Sequence, residues 1–242
     1  MTNHGASHET FALSGALMAA GAATLFVGTL FYIRLTPQLG LPALAADRPQ
    51  ALADALALGP RRMALAGGFA LFGDFLLAAG CIALAARRRL ADSDLEPFGW
   101  TLIAISAATA MIFDSIMAVL LAPLARLADP GLFLACKGWF DFLFAAGNVP
   151  FGVGALAVLW ADMCAEAPLL PKALASFGLA VAVVALASGV GYVLGILVVP
   201  AAIGLTVTFG CVVFAAYGVQ IARHEGGRER AVARIATAAQ VH

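Results

Sequence analysis

Three aspartates, Asp74, Asp114 and Asp141, lie within stretches of the chain that are otherwise almost entirely apolar. An ionised carboxylate at mid-bilayer is costly, so such a group is expected to face other helices or water, or to carry a proton. A carboxyl group buried among apolar helices can exchange its proton for a cation, which is the usual physical basis of proton-coupled movement. The three aspartates are therefore the first candidates for a functional site.

The neighbours of Asp74 and Asp114 indicate that both side chains point toward other helices. Residues three, four and seven positions away share a face with each aspartate in a helix, and most of them are small. Those around Asp74 are Gly67, Ala70, Leu71, Leu77, Ala78 and Cys81, and those around Asp114 are Ala107, Ala110, Met111, Met117, Ala118 and Leu121. Small residues are typical of helix-packing faces in membranes.

The apolar stretch that contains Asp141 carries a polar stripe. Lys137, Asp141, Asn148 and Gly152 fall on one side of a helix, and Lys137 and Asp141, four residues apart, can form an ion pair near its end. Pro150 removes one backbone donor and frees a carbonyl about one turn earlier. The segment can therefore bend and expose polar backbone to a cavity.

The helical rise places several polar groups at one depth. Counted from the membrane face opposite the termini, Asp74, Asp114 and Asn148 lie about 18, 13 and 15 Å deep, and Ser188 and Tyr192 about 16 and 10 Å deep. Four threonines fall at comparable depths: Thr24, Thr29, Thr206 and Thr208. We predict a polar pocket in the outward half of the bundle. Its predicted ligand- or proton-binding residues are Asp74, Asp114, Asn148, Asp141, Tyr192 and Ser188, and its titratable members are the first two.

A structural role is the alternative for each aspartate. A buried Asp can hydrogen-bond a Ser, Thr or Asn on a neighbouring helix and hold the bundle together, without binding any ligand. The three tryptophans have an equally simple interpretation. Trp100, Trp139 and Trp160 lie at the ends of predicted spans, where an aromatic belt is expected at the membrane interface.

The elements that must position these residues are transmembrane helices. Of the 242 residues, 62% are hydrophobic and 12% are charged, whereas a soluble domain has about a quarter of its residues charged. Runs of about twenty apolar residues match one crossing of the bilayer, and they lack the alternation of a transmembrane barrel. The predicted spans are 11–33, 63–86, 99–122, 139–161, 173–197 and 201–222. The fold class is therefore all-α, a polytopic bundle of six helices.

The remaining chain divides into tails and one long connection. We predict a polar N-terminal tail at 1–10, a transmembrane domain at 11–222 and a polar C-terminal tail at 223–242 that is either a surface helix or disordered. The long connection at 35–62 has leucines and alanines at helical spacing, which predicts a short helix lying at the membrane interface. An ordinary connecting loop is the alternative.

The distribution of Lys and Arg indicates an orientation. Eight fall on the side of the termini and six on the other, and the dense block Arg87–Arg89 directly follows a span. The positive-inside rule then predicts that both termini lie in the cytoplasm. The membrane that we expect is the bacterial inner membrane.

Several function classes are disfavoured by what the chain lacks. Fourteen basic residues balance fourteen acidic ones, so no electropositive surface for nucleic acid is expected. All four histidines lie in the tails, which argues against intramembrane haem, zinc or di-iron chemistry. The four cysteines are scattered singly and are expected to pack as apolar side chains. The sequence predicts no metal, no cofactor and no catalytic residue, and an enzyme is the less favoured class.

Part of the chain resembles a known family. The run KGWFDFLFAAGNVPFGVGALAVLW, followed by APLLPKALASFG, resembles a bacterial family of six-span membrane proteins catalogued only as a domain of unknown function. Its members carry a Trp at the start of this span, a Gly/Pro pair before an F-G-x-G-A-like turn, and a loop of the form L-x-P-x-x-L-x-x-x-G. The resemblance covers most of 11–222 and implies the six-span architecture alone.

Three functional hypotheses follow from the sequence. The first is a cavity that binds or transports a small amphipathic or cationic ligand, coupled to proton uptake at Asp74 or Asp114. The second is an accessory or scaffold subunit of a larger membrane complex, or a homo-oligomer, whose Gly- and Ala-rich faces contact neighbouring helices as well as membrane lipids. The third is an enzyme acting on lipid head groups with paired aspartates as acid and base.

Overall fold

A computed structural model of the chain describes residues 4–35, 37–88, 95–196 and 200–239. Residues 1–3 and 240–242 of the two predicted tails, and Arg89 of the basic block, lie outside the described residues. The rest of both tails continues the adjoining helices, because the first helix begins at His4 and the last ends at Ala239.

The described chain consists of helices joined by short connections and contains no strand in the ranges given above. The helices are α1 (His4–Leu35), α2 (Pro37–Gly40), α3 (Arg48–Arg88), α4 (Leu95–Ser115), α5 (Ala122–Ala125), α6 (Pro130–Cys164), α7 (Lys172–Val193) and α8 (Pro200–Ala239). A short 3-10 turn, Ala45–Asp47, precedes α3, and a π-helical segment, Ile116–Leu121, joins α4 to α5.

Six helices are long and apolar enough to cross a membrane, which confirms the predicted all-α six-helix bundle. Their membrane-spanning windows are Ala12–Phe31, Ala45–Ala86, Leu95–Ala125, Pro130–Cys164, Lys172–Val193 and Ala202–His224. Each contains or closely overlaps the span predicted from the sequence. The protein is therefore a multi-pass membrane protein.

A kink divides α3 near its start. Gly59 has φ 75° and ψ 164°, a conformation outside the helix, and Pro60 follows it. Only glycine adopts this backbone region readily, and Pro60 has no N–H to donate to the preceding turn. Residues 48–58 therefore form a separate helical segment before the second span. Its location at the membrane interface stays a prediction.

Close backbone contacts hold α1 between α3 and α8. A Cβ atom on Gly73 would lie 2.8 Å from the backbone nitrogen of Leu25, and one on Gly218 would lie 2.7 Å from that of Ala19. Such contacts leave no room for a larger side chain, so glycine allows the helices to approach closely enough for extensive van der Waals contact. This packing explains why the small residues of the sequence are concentrated on helix faces.

One of the three tryptophans departs from the expected interfacial belt. Trp139 and Trp160 are exposed, as expected, but Trp100 is completely buried. Its ring stacks on Tyr217 with centroids 5.5 Å apart, and its indole nitrogen donates to Glu96 at 3.1 Å. The expectation for Trp100 was wrong because a position near a helix end does not reveal which side of that helix faces the protein.

Candidate binding cavity

A cavity of about 80 Å³ lies inside the bundle. Its walls come from α1, α3, α4, α6 and α8, and the connection between α1 and α3 covers one end through Gly40 and Leu41. We call this end of the bundle, opposite the chain termini, the outer end. Among the lining residues, the polar ones are Thr29, Asp74, Asp114 and Asn148.

Asp74 and Asp114 meet at the wall of the cavity. They are 3% and 1% exposed, and their carboxyl groups lie within hydrogen-bonding reach of each other. Two carboxyl groups can form a hydrogen bond only if one carries a proton, and two adjacent negative charges in an apolar interior would repel strongly. Asp74 Oδ2 has no hydrogen-bond partner among the described residues. The pair therefore shares one proton and leaves one carboxyl oxygen without a partner among the described residues, in a side chain that lines the cavity.

Local packing explains how α3 and α4 bring these carboxyls together. Gly67 lies two turns before Asp74, and a Cβ atom there would be 2.8 Å from the backbone nitrogen of Ala118. Ala118 belongs to the π-helical segment Ile116–Leu121, which begins two residues after Asp114. A π-helical turn inserts an extra residue into the helix, and such turns are frequent at functional sites. Here the extra residue changes the direction of α5 relative to the turn that carries Asp114.

Asn148 and Thr29 contribute acceptor atoms to the same cavity. The Asn148 side-chain nitrogen donates to the Phe144 carbonyl at 2.8 Å, and the Thr29 hydroxyl donates to the Leu25 carbonyl at 2.9 Å. Because the Thr29 hydroxyl hydrogen and one of the two Asn148 side-chain N–H groups are used within their own helices, Asn148 Oδ1 and the Thr29 oxygen lone pairs are left as acceptors. The polar part of the cavity is therefore rich in acceptors.

Helix α6 continues through Pro150 and is bonded to α4 beside it. The Ser106 hydroxyl of α4 donates to the Gly147 carbonyl at 2.7 Å. The carbonyl that loses its helical partner to Pro150 is that of Ala146, one residue earlier. The bond from Ser106 therefore ties the two helices together next to this position, and the exposure of polar backbone to the cavity stays a prediction.

Four phenylalanine rings complete the wall. Phe113 and Phe144 form one pair with ring centroids 4.8 Å apart, and Phe151 and Phe214 form a second pair at 5.7 Å. All four line the cavity. The face of an aromatic ring is electron-rich and attracts cations, so these rings add to the attraction exerted by the two carboxyls.

A second polar cluster occupies the outer end of the bundle. Asp141 and Lys137 are completely buried and form the predicted ion pair, which is confirmed. The other oxygen of Asp141, Oδ2, accepts from Arg48 Nε at 3.0 Å. Asp141 Oδ1 also accepts from the Ala43 backbone nitrogen at 3.2 Å. One carboxylate thus joins the start of α3, the preceding connection and α6.

This cluster holds the connection over the cavity. We call residues 37–47 the cap segment. Lys137 Nζ donates to the Leu41 carbonyl at 2.9 Å, and the Tyr192 hydroxyl donates to the Ala43 carbonyl at 3.1 Å. Leu41 also packs against α8, since a Cβ atom on Gly204 would lie 2.7 Å from its side chain. The cap segment is therefore bound to α6, α7 and α8.

The structure separates the predicted site residues into two groups. Asp74, Asp114 and Asn148 line the cavity together, as the depth of each residue predicted. Asp141 and Tyr192 do not line it and instead bind the cap segment and Arg48. Ser188 is buried but does not line the cavity either. The assignment of these last three residues to ligand binding has no support from the geometry.

Sequence reasoning did not identify Arg48 or the four aromatic rings as parts of these sites. Arg48 lies 93 residues from Asp141 along the chain, and no local spacing connects them. Phe113 adjoins Asp114, and Phe144 and Phe151 lie four residues before and three residues after Asn148, but this spacing is also that of an ordinary lipid-facing or core stripe. Within the described residues, no group of three or more His, Cys, Asp or Glu is arranged to hold a metal ion.

Comparison with family models, curated proteins and solved structures finds no match to the chain. The resemblance of the Trp, Gly/Pro and F-G-x-G-A pattern to a six-span bacterial family therefore stays a prediction.

Proposed function

We propose that the central cavity binds a small amphipathic cation in exchange for the proton held by Asp74 and Asp114, and that the protein transports this ligand. One observation carries the proposal. Two buried carboxyls meet at the wall of an otherwise apolar cavity, where Asp74 Oδ2 has no partner among the described residues. A purely structural pair would be expected to hydrogen-bond its oxygens to neighbouring helices.

The exchange follows from the cost of charge in an apolar interior. With one shared proton the pair carries a single negative charge, and loss of that proton alone would leave a second, uncompensated charge in an apolar interior. If the proton leaves as the cation arrives, the total charge of the site does not change. Because no Lys, Arg or His lines the cavity among the described residues, the lining offers no competing positive charge.

The pH dependence of stability tests the role of the acid pair. We expect the wild-type protein, purified in lipid nanodiscs, to lose thermal stability as the pH rises, because removal of the shared proton leaves two negative charges side by side. Asp74→Asn and Asp114→Asn should each flatten this profile, because an amide can donate to the remaining carboxylate without a second charge. Asp47→Asn, at an exposed position of the cap segment, is the matched control and should retain the wild-type profile.

The competing function is that of an accessory subunit of a membrane complex. That function requires copurification with other membrane subunits in fixed stoichiometry and identical pH profiles for the wild type and both cavity variants. A monodisperse protein that behaves as described above, in contrast, supports the cavity. An enzyme acting on lipid head groups would require an activating group beside the pair.

The proposal includes a bacterial inner-membrane location with both termini in the cytoplasm, supported by the excess of Lys and Arg on the side of the termini. Cysteine labelling tests this orientation. A cysteine at Ala46→Cys on the exposed cap segment should react with an impermeant maleimide added from the periplasm. Cys164 is exposed at the opposite end of α6 and should react only after the cells are opened. The reverse pattern would contradict the orientation.

A further inference from the structure

We propose that the ligand of the cavity is a primary alkylammonium ion of about three non-hydrogen atoms, such as ethylammonium. This inference rests on the proposed function, because it specifies the cation that the acid pair receives. It is drawn from three properties of the cavity: its charge, the kind of polar atoms that it presents, and its size.

The charge of the lining requires a single positive charge on the ligand. Asp74 and Asp114 together carry one negative charge while they share the proton, and they would carry two negative charges after it has left. The remaining titratable group on the lining is the thiol of Cys211, on α8. Thr29 of α1 and Asn148 of α6 are the uncharged polar groups, and the cap segment contributes only Gly40 and Leu41. A monovalent cation that replaces one proton leaves the total charge of the cavity unchanged.

The polar atoms require hydrogen-bond donors on the ligand. The carboxyl oxygen Asp74 Oδ2 is an acceptor without a partner among the described residues, in a side chain that is 3% exposed. The Asn148 side-chain nitrogen and the Thr29 hydroxyl each donate a hydrogen bond to a carbonyl of their own helix. A primary ammonium group offers several N–H donors to these acceptors, whereas a tertiary one offers a single donor and a quaternary one offers none.

The aromatic walls of the cavity can contact both the alkyl chain and the ammonium group of the ligand. Phe113 and Phe144 form one aromatic wall, and Phe151 and Phe214 form another. Ring faces stabilise an ammonium ion and also exclude water from an attached alkyl chain. A bare metal cation would need several oxygen ligands around it, and rings cannot supply them.

The volume limits the length of the alkyl chain. An apolar protein cavity of about 150 Å³ accommodates a benzene ring. The cavity here, at about 80 Å³, is roughly half that size, which leaves room for about three non-hydrogen atoms. Ethylammonium fits this limit, propylammonium approaches it and hexylammonium exceeds it.

Thermal-shift titration of the purified protein in nanodiscs tests the inference with chloride salts of these amines. Ethylammonium and propylammonium should raise the melting temperature saturably. Trimethylammonium, with as many non-hydrogen atoms as propylammonium, should bind about tenfold more weakly because it has fewer donors. The uncharged 1-propanol, also of this size, and the longer hexylammonium should cause no shift.

Two variants assign the binding to the cavity. Asp74→Asn should weaken ethylammonium binding by about tenfold or more, and Asp47→Asn should leave it unchanged. Ala110→Val narrows the cavity at a half-buried position of its wall. It should weaken propylammonium binding more than ethylammonium binding, and this difference between ligands would not arise from a general loss of stability.

The outcomes separate the ligand class from the proposed function. If trimethylammonium binds as tightly as propylammonium, and Asp74→Asn weakens both, the cation site stands and the primary-ammonium class is wrong. If no amine binds but the pH profile still depends on Asp74, the class is again wrong and the proton-holding pair stands. If no amine binds and the pH profile is unaffected by Asp74→Asn, both proposals fail.

Discussion

Removal of the Asp141 carboxylate should destabilise the protein more than removal of any exposed acid. Asp141 accepts from Lys137 Nζ, Arg48 Nε and the Ala43 backbone nitrogen, and its side chain and that of Lys137 are completely buried. In Asp141→Asn the buried Lys137 ammonium loses its negatively charged partner and keeps only neutral acceptors, which are the Leu41 carbonyl and the substituted amide oxygen. Breaking a buried ion pair by removing one partner costs about 3–5 kcal/mol.

This cost can be measured by reversible chemical unfolding or by melting in nanodiscs. For a chain of this length, a destabilisation of about 3–5 kcal/mol corresponds to a fall in melting temperature on the order of 10 °C. Asp47→Asn, which removes an exposed carboxylate, should change the free energy of unfolding by less than about 0.5 kcal/mol. It is the control for the loss of one negative charge.

A double variant distinguishes an uncompensated charge from a simple packing defect. Asp141→Asn combined with Lys137→Met removes both buried charges, and replacing an ion pair with apolar side chains of similar volume is often neutral. We expect the double variant to regain at least half of the stability lost in Asp141→Asn. A loss below about 1 kcal/mol in the single variant, or no recovery in the double one, would refute the reasoning.

Three further predictions concern other parts of the bundle. Gly73→Val should destabilise the protein by about 1–3 kcal/mol, since its Cβ would meet backbone atoms of α1. Gly68→Val should be tolerated in the same unfolding assay, because nothing lies within 4 Å of the added Cβ. Tyr217→Phe should cost about 1–2 kcal/mol by equilibrium unfolding, because it removes a buried hydrogen bond to a carboxylate; a neutral result would contradict this. Cys211, which lines the cavity at 7% exposure, should react faster with a small thiol reagent in Asp141→Asn than in the wild type, as followed by peptide mass spectrometry. Equal rates would show that the cap segment does not control access.

The sequence predicts the fold and the acid pair because both depend on regular helical geometry. Apolar runs of bilayer length define the spans, and the constant rise of a helix fixes the relative depths of Asp74, Asp114 and Asn148. The small residues around the first two show which side of each helix is buried. Because the depth and the direction of both side chains are fixed, we expect Asp74 and Asp114 to lie close together.

The outer cluster was not predictable in the same way. The path of the cap segment is irregular, and it is set by hydrogen bonds between its backbone and the side chains of Lys137, Asp141 and Tyr192. Backbone donors and acceptors have no signature in the sequence, so the depth of Tyr192 alone predicts a place in the pocket. The burial of Trp100 has a similar origin, because its direction depends on Tyr217, a partner on another helix.

The kink at Gly59 connects two regions that otherwise have separate roles. Arg48, which binds Asp141, and Asp74, which belongs to the acid pair, are carried by the same helix on opposite sides of this kink. The helix between them is interrupted at one residue, whose positive φ glycine adopts without steric cost. The backbone of Gly59 sets the angle between the segment that begins at Arg48 and the helix that bears Asp74. A residue with a Cβ atom would be strained at this φ, so a substitution there is expected to change that angle and the position of Arg48 relative to Asp141.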